Sequence, residues 1–145
     1  MKKFSFSIET ARKWRERQAE LEEVRLQSLF AEKQTIEDRI VSFQAELEAE
    51  HRRIEDTSFD AGELTRLDGF RDWVTREKKR LGISLAECAK RIEAQRAVLV
   101  EARRRFQLVD RLKEKALLEW YRADAKEQED MAAELYLARR ARQDG

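Results

Sequence analysis

The sequence predicts an all-α fold, a long antiparallel two-helix coiled-coil hairpin with a longer second helix, on three observations. The composition is that of helix formers: 42% of the 145 residues are charged, none is proline and four are glycine. Two long stretches return apolar side chains at alternating steps of three and four residues, the spacing of a coiled-coil seam. Between them lies one helix-start signal.

The first seam runs through Ile8, Ala19, Leu26, Leu29, Ile36, Ile40, Phe43, Leu47 and Ile54, interrupted by Arg12, Arg15, Glu22, Lys33 and Glu50. It predicts a helix over about 6–56. The segment Thr57-Ser58-Phe59-Asp60-Ala61-Gly62-Glu63-Leu64 then predicts a reversal. Asp60 can cap the amides of a new first turn, Glu63 stands at the capping-box position, and Phe59 and Leu64 have the spacing of a hydrophobic staple. The turn is placed at about 57–61.

The second seam continues through Leu81, Leu85, Cys88, Ile92, Leu99, Ala102, Phe106, Val109, Ala116, Trp120 and Ala123, with Lys78, Gln95 and Lys113 as polar members. It predicts a helix over about 62–140. Gly82 followed by Ser84 to Glu87 is a weaker start signal, but the seam passes it without a slip, so the helix is expected to continue. The whole chain, 1–145, reads as one hairpin domain.

Folding near residue 59 pairs positions whose numbers sum to roughly 117. Ile54 then meets Leu64, Phe43 meets Val74, Ile36 meets Leu81, Leu29 meets Cys88, Leu26 meets Ile92 and Ala19 meets Leu99. Two interruptions also coincide, because Glu22 falls opposite Gln95, where a hydrogen bond can cross the seam. At a rise of ~1.5 Å per residue the first arm is roughly 70–80 Å long. The second arm outruns it, so residues from about 113 onward have only the Phe4–Phe6 segment to pack against.

The 31 basic and 30 acidic side chains almost cancel, which argues against a nucleic-acid partner. Their placement is uneven. Residues 1–17 and 103–115 each carry six basic and two acidic side chains, whereas residues 18–102 carry fourteen and nineteen. The hairpin brings the two basic segments to the end with the termini.

No apolar run reaches the ~18 residues of a membrane span, and the start lacks the apolar core of a signal peptide, so a cytoplasmic protein is expected. Cys88 and His51 stand far apart, with no metal-spaced cluster, phosphate loop or nucleophile beside a base. A two-helix rod also offers no deep pocket for chemistry. The expectation is therefore a protein-binding chain rather than an enzyme, with no cofactor and no small-molecule substrate.

The Arg103-Arg104-Arg105 run, with Arg111, Lys113 and Lys115, reads either as a solvated helix face or as a basic collar that docks on an acidic surface. Trp120, Tyr121, Met131, Leu135, Tyr136 and Leu137 lie where intramolecular partners are scarce, though Phe4 and Phe6 can cover Leu117 and Trp120. Phe70 and Trp73 adjoin the seam near the tip, and one of them is expected to be exposed.

The opening Lys2-Lys3-Phe4-Ser5-Phe6-Ser7-Ile8-Glu9, followed by Arg15-Glu16-Arg17, resembles the N-terminus of the flagellar export family called FliJ. The closing Arg105-Phe106, Leu112-Lys113-Glu114-Lys115, Trp120-Tyr121 and Lys126-Glu127-Gln128-Glu129 resemble that family's C-terminal pattern. Met131-Ala132-Ala133 and Tyr136-Leu137 depart from it, and residues 58–84 match in character alone.

The resemblance implies a stalk of the flagellar type III protein export apparatus, held peripherally at the inner face of the cell membrane. It implies three partners: the export ATPase hexamer, the cytoplasmic domain of the export-gate membrane protein, and export chaperones. Docking in the ATPase ring is expected at Arg15, Arg17, Arg103, Arg104 and Arg105, and gate contact around Leu47, Phe70 and Trp73. Trp120, Tyr121 and Leu135 are expected to form a partner surface on the overhang. Alternatives are the stalk of an injectisome, a self-assembling or membrane-associated structural coiled coil, and a helical arm on nucleic acid.

Overall fold

The computed structural model describes residues 3–56 and 60–144. Two helices, α1 (Glu9–Asp56) and α2 (Ala61–Asp144), pack against each other as an all-α hairpin whose second helix is the longer, an arrangement consistent with a coiled coil. The described residues contain no strand. Helix α2 runs through Gly82 without interruption, as the unbroken seam requires. Residues 57–59 of the expected turn, including Phe59 of the staple, and Lys2 of the opening motif lie outside the described residues.

Helix α1 starts three residues later than the spacing predicts. Ser7 and Ile8 form a turn in which the Glu9 amide donates to the Phe6 carbonyl at 3.1 Å and the Arg12 amide to the Ile8 carbonyl at 2.9 Å. Phe4 and Phe6 thereby precede the helix instead of extending it. At the start of α2 the cap is as expected, with Asp60 Oδ1 accepting the Glu63 amide hydrogen at 2.8 Å.

The chain divides into two compact units. One is Leu21–Val100, and its core is two clusters along the seam. Leu26, Cys88, Ile92 and Leu99 form the first, with Leu29, Phe30 and Ile36 packed on it. Phe43, Val74 and Leu81 form the second, flanked by Ile36, Ile40, Leu47 and Phe70. Burying each such side chain contributes about 1.5–3 kcal/mol, and a two-helix layer has few positions that bury completely. Val74 and Cys88, each 1% exposed, are the two largest side chains that do.

The register is the expected one. Cys88 Sγ lies 3.5 Å from the Leu29 carbonyl oxygen, and Gln95 Nε2 reaches Glu22. Both pairs sum to 117. Polar pairs between the arms run slightly offset, with Arg91 on Glu32 and Lys78 Nζ donating to Gln44 Oε1 at 2.7 Å. The tip departs from expectation: Ile54 is buried, but Leu64 is 42% exposed and Leu67, one seam position on, is buried in its place. Ile54 and Leu67 border one groove of about 570 Å³ together with Glu63, whose Oε2 is enclosed without a hydrogen-bond partner among the described residues.

The other unit is Met1–Glu20 with Glu101–Gly145. It is held by polar pairs more than by a core. Arg12 Nε donates to Asp110 Oδ1 at 2.9 Å while its guanidinium stands 5.4 Å from the Phe106 ring centroid. Lys113 Nζ lies 3.0 Å from Glu9 Oε2. Phe4 meets Trp120 edge-on at 6.1 Å. First-arm partnering therefore extends to Trp120 through Phe4, one of the two residues expected to reach it. Past it every described side chain is exposed except the half-buried Asp124.

Candidate protein-docking surfaces

Three surfaces collect the residues singled out in the sequence. In the terminal unit the five arginines differ in what they touch. Arg104 donates through both Nε and Nη2 to Glu101 at 2.9 and 2.8 Å, and Arg105 Nε donates to the same carboxylate at 3.0 Å. These bonds hold Glu101 down to about 2 from an ordinary 4.5, the Arg104 bond first and the Arg105 bond second. The Arg104 guanidinium is raised in turn by its bond to Glu101. The collar is thus partly neutralised within its own helix, at the i−3 and i−4 spacing that favours such pairs.

Arg15 occupies a seam position and is half-buried, its guanidinium 4.6 Å from the centroid of the Trp14 ring. Trp14 is itself 51% exposed, so this cation-on-indole pair faces outward as an aromatic contact point that periodicity alone did not mark. Arg17 is exposed and borders a shallow groove with Lys13, Glu16 and Glu20. Arg103 is exposed on α2.

The cross-helix pairs beneath these arginines explain two seam interruptions. Arg12 is raised by its bond to Asp110, and Glu9 is lowered mainly by Lys113, with Arg12 and Lys13 adding to it. Arg12 and Lys113, polar members of the seam, therefore join the two helices instead of leaving gaps between them.

Near the tip, Trp73 is the exposed aromatic, at 41%, and Phe70 and Leu47 are half-buried. Trp73 meets Phe43 edge-on at 5.3 Å and stacks on Phe70 at 6.0 Å, so its ring is fixed from two sides. Leu47 and Phe70 back onto the same core cluster but open into different grooves. Phe70 borders the groove with Ile54 and Leu67, whereas Leu47 borders one of about 410 Å³ with Glu48, His51, Arg52 and Arg71. The three expected gate residues share a core and not a single pocket.

On the overhang, Trp120 is half-buried between Phe4 and Tyr121, while Tyr121 and Leu135 are 57% and 65% exposed. Trp120 therefore belongs to the terminal clasp, and Tyr121 and Leu135 belong to an uncovered surface. Among the described residues no group of His, Cys, Asp and Glu side chains is arranged to hold a metal ion, and no helix is long and apolar enough to cross a membrane.

No protein-family model, curated protein or solved structure matches this chain.

Proposed function

We propose that this chain is a helical-hairpin stalk of the type III export kind, a docking protein rather than a catalyst. It inserts the end carrying its termini into an ATPase ring and presents its tip half to a membrane-embedded gate. The supporting observation is the clasp in the terminal unit. Arg12 with Asp110, Glu9 with Lys113 and Phe4 with Trp120 tie both helices together where a ring would grip them. The unit carries 17 basic and 13 acidic side chains, a net +4, which suits an acidic pore lining.

Within that unit the docking charge falls on Arg17 and the Arg15–Trp14 pair more than on Arg104 and Arg105, which share the Glu101 carboxylate. At the tip, the fixed Trp73 indole is the anchor for a gate surface, since a rigid aromatic gives contact area at little entropic cost. Export chaperones are a third class of partner for the same hairpin.

The test is ATP hydrolysis by a flagellar export ATPase, titrated with the whole chain and with an Arg15→Glu/Arg17→Glu/Arg103→Glu variant. Stimulated ring assembly and turnover, lost in the variant while its helicity is intact, is the expected result. A folded chain that neither binds nor stimulates the ATPase rules the stalk reading out.

A further inference from the structure

Beyond Trp120 the intramolecular seam loses its apolar character, because its next positions after Ala123 are Glu127, Asp130 and Glu134. A different stripe takes over on the same helix. Asp124, Gln128, Met131, Leu135, Ala138 and Arg142 follow one another at steps of four, three, four, three and four, which aligns them along one face of α2. Met131 and Leu135 at its middle are 57% and 65% exposed. The stripe has the spacing of a coiled-coil seam, and past the half-buried Asp124 all its members are exposed.

Charge is arranged about the midpoint of this stripe with opposite signs. Residues 124–134 carry five acidic side chains and one basic, and residues 135–144 carry three basic and one acidic. A second copy laid antiparallel, with paired positions summing to 266, sets each member of the stripe opposite another member. Met131 faces Leu135, Gln128 faces Ala138, and Asp124 faces Arg142, each pair occurring twice by the two-fold axis. A parallel arrangement would instead set Asp124 on Asp124 and Arg142 on Arg142.

We infer that the exposed end of α2 is a self-association face, which pairs antiparallel with the same segment of a second copy. Apolar contact comes from Met131 and Leu135, and orientation comes from the two Asp124–Arg142 pairs. In the single chain Asp124 Oδ2 accepts from Gln128 Nε2 at 3.3 Å, an exposed bond that the incoming arginine replaces at small cost. The paired length, 19 residues or roughly 28 Å, makes a small interface, so the dimer is weak and concentration-dependent. This inference does not depend on ring docking and is tested on the chain alone.

The experiment is sedimentation velocity on the full chain up to about 1 mM, a range that covers weak association. The wild type is expected to pass from monomer to dimer, Leu135→Glu to weaken the dimer at least about tenfold, and Leu137→Glu, on another face, to leave it unchanged. Asp124→Arg is expected to weaken it about tenfold and the double swap Asp124→Arg/Arg142→Asp to restore it. Circular dichroism checks that each variant keeps its helicity. A chain that stays monomeric throughout, or a dimer indifferent to Leu135→Glu, overturns the inference. A dimer indifferent to Asp124→Arg overturns the antiparallel orientation.

Discussion

Gln95 donates from one amide nitrogen to two acceptors on Glu22, the backbone carbonyl oxygen at 3.0 Å and carboxylate Oε2 at 2.6 Å. Glu22 is 8% exposed, and its other carboxylate oxygen accepts from Arg25 at 2.7 Å. A carboxylate is thereby held at a seam position with both oxygens satisfied. Because the pair forms only when α1 and α2 meet in one alignment, it penalises sliding of the helices, as a polar seam residue does in a coiled coil.

Gln95→Leu should therefore destabilise the hairpin by about 1–3 kcal/mol, since it leaves a buried acceptor short of a donor. The double variant Glu22→Leu/Gln95→Leu should recover most of that loss, because an apolar pair replaces a buried polar one. Thermal unfolding of the two singles and the double gives the coupling energy directly. Additive effects would show that the pair contributes nothing as a unit.

Cys88 is 1% exposed between the arms, its thiol against the Leu29 carbonyl. Labelling by a thiol reagent requires the arms to separate locally, so its rate reports that opening. The wild type should label far more slowly than the chain in denaturant. Val74→Ala, which removes about 1–3 kcal/mol from the neighbouring core, should speed labelling if the unit opens as a whole. Prompt labelling of the native wild type would contradict the packed seam.

Acid should weaken the terminal clasp. Glu9 is lowered from 4.5, first by Lys113, so its charged form is favoured in the folded unit. A lowered folded value means the stabilisation is present above pH 4.5 and is lost as pH falls below it. Glu101, at about 2, also loses its contribution between 4.5 and about 2, but its partners Arg104 and Arg105 lie on its own helix. Of these two carboxylates, Glu9 is the one whose pair joins the helices. Glu9→Gln should therefore reduce the acid sensitivity of Phe4–Trp120 packing, followed by near-ultraviolet circular dichroism, whereas Glu101→Gln should not.

The alignment of the hairpin was legible in the sequence because seam spacing is a property of backbone geometry. Alternating three- and four-residue steps, with Glu22 opposite Gln95, leave one register, and Cys88 against Leu29 occupies it. The tip was less legible. Leu64 and Leu67 both satisfy the spacing, and which of them buries against Ile54 depends on how the chain enters α2, which periodicity does not encode. The arginine run was legible only in part: a run of positive charge is visible in a sequence, but its partial neutralisation by Glu101 is an outcome of side-chain geometry. Arg12 and Lys113 likewise looked like seam defects until Asp110 and Glu9 were found facing them. The stripe through Met131 and Leu135 could have been found from spacing alone, but it competes with the seam through Trp120, and only their different burial separates them.

That neutralisation makes a prediction about docking. If an acidic ring surface grips the terminal unit, Glu101→Gln should strengthen the interaction, because it releases two guanidiniums and adds one net positive charge. Arg104→Glu should weaken binding less than Arg17→Glu, since the native Arg104 charge is already matched by Glu101 at 2.8 Å. Binding to the export ATPase measured at two salt concentrations distinguishes charge from shape, because an electrostatic gain from Glu101→Gln fades as ionic strength rises. If Glu101→Gln binds no better at low salt and Arg104→Glu costs as much as Arg17→Glu, then Arg104 acts through its contacts, and the collar has to be treated as a shaped surface held by Glu101.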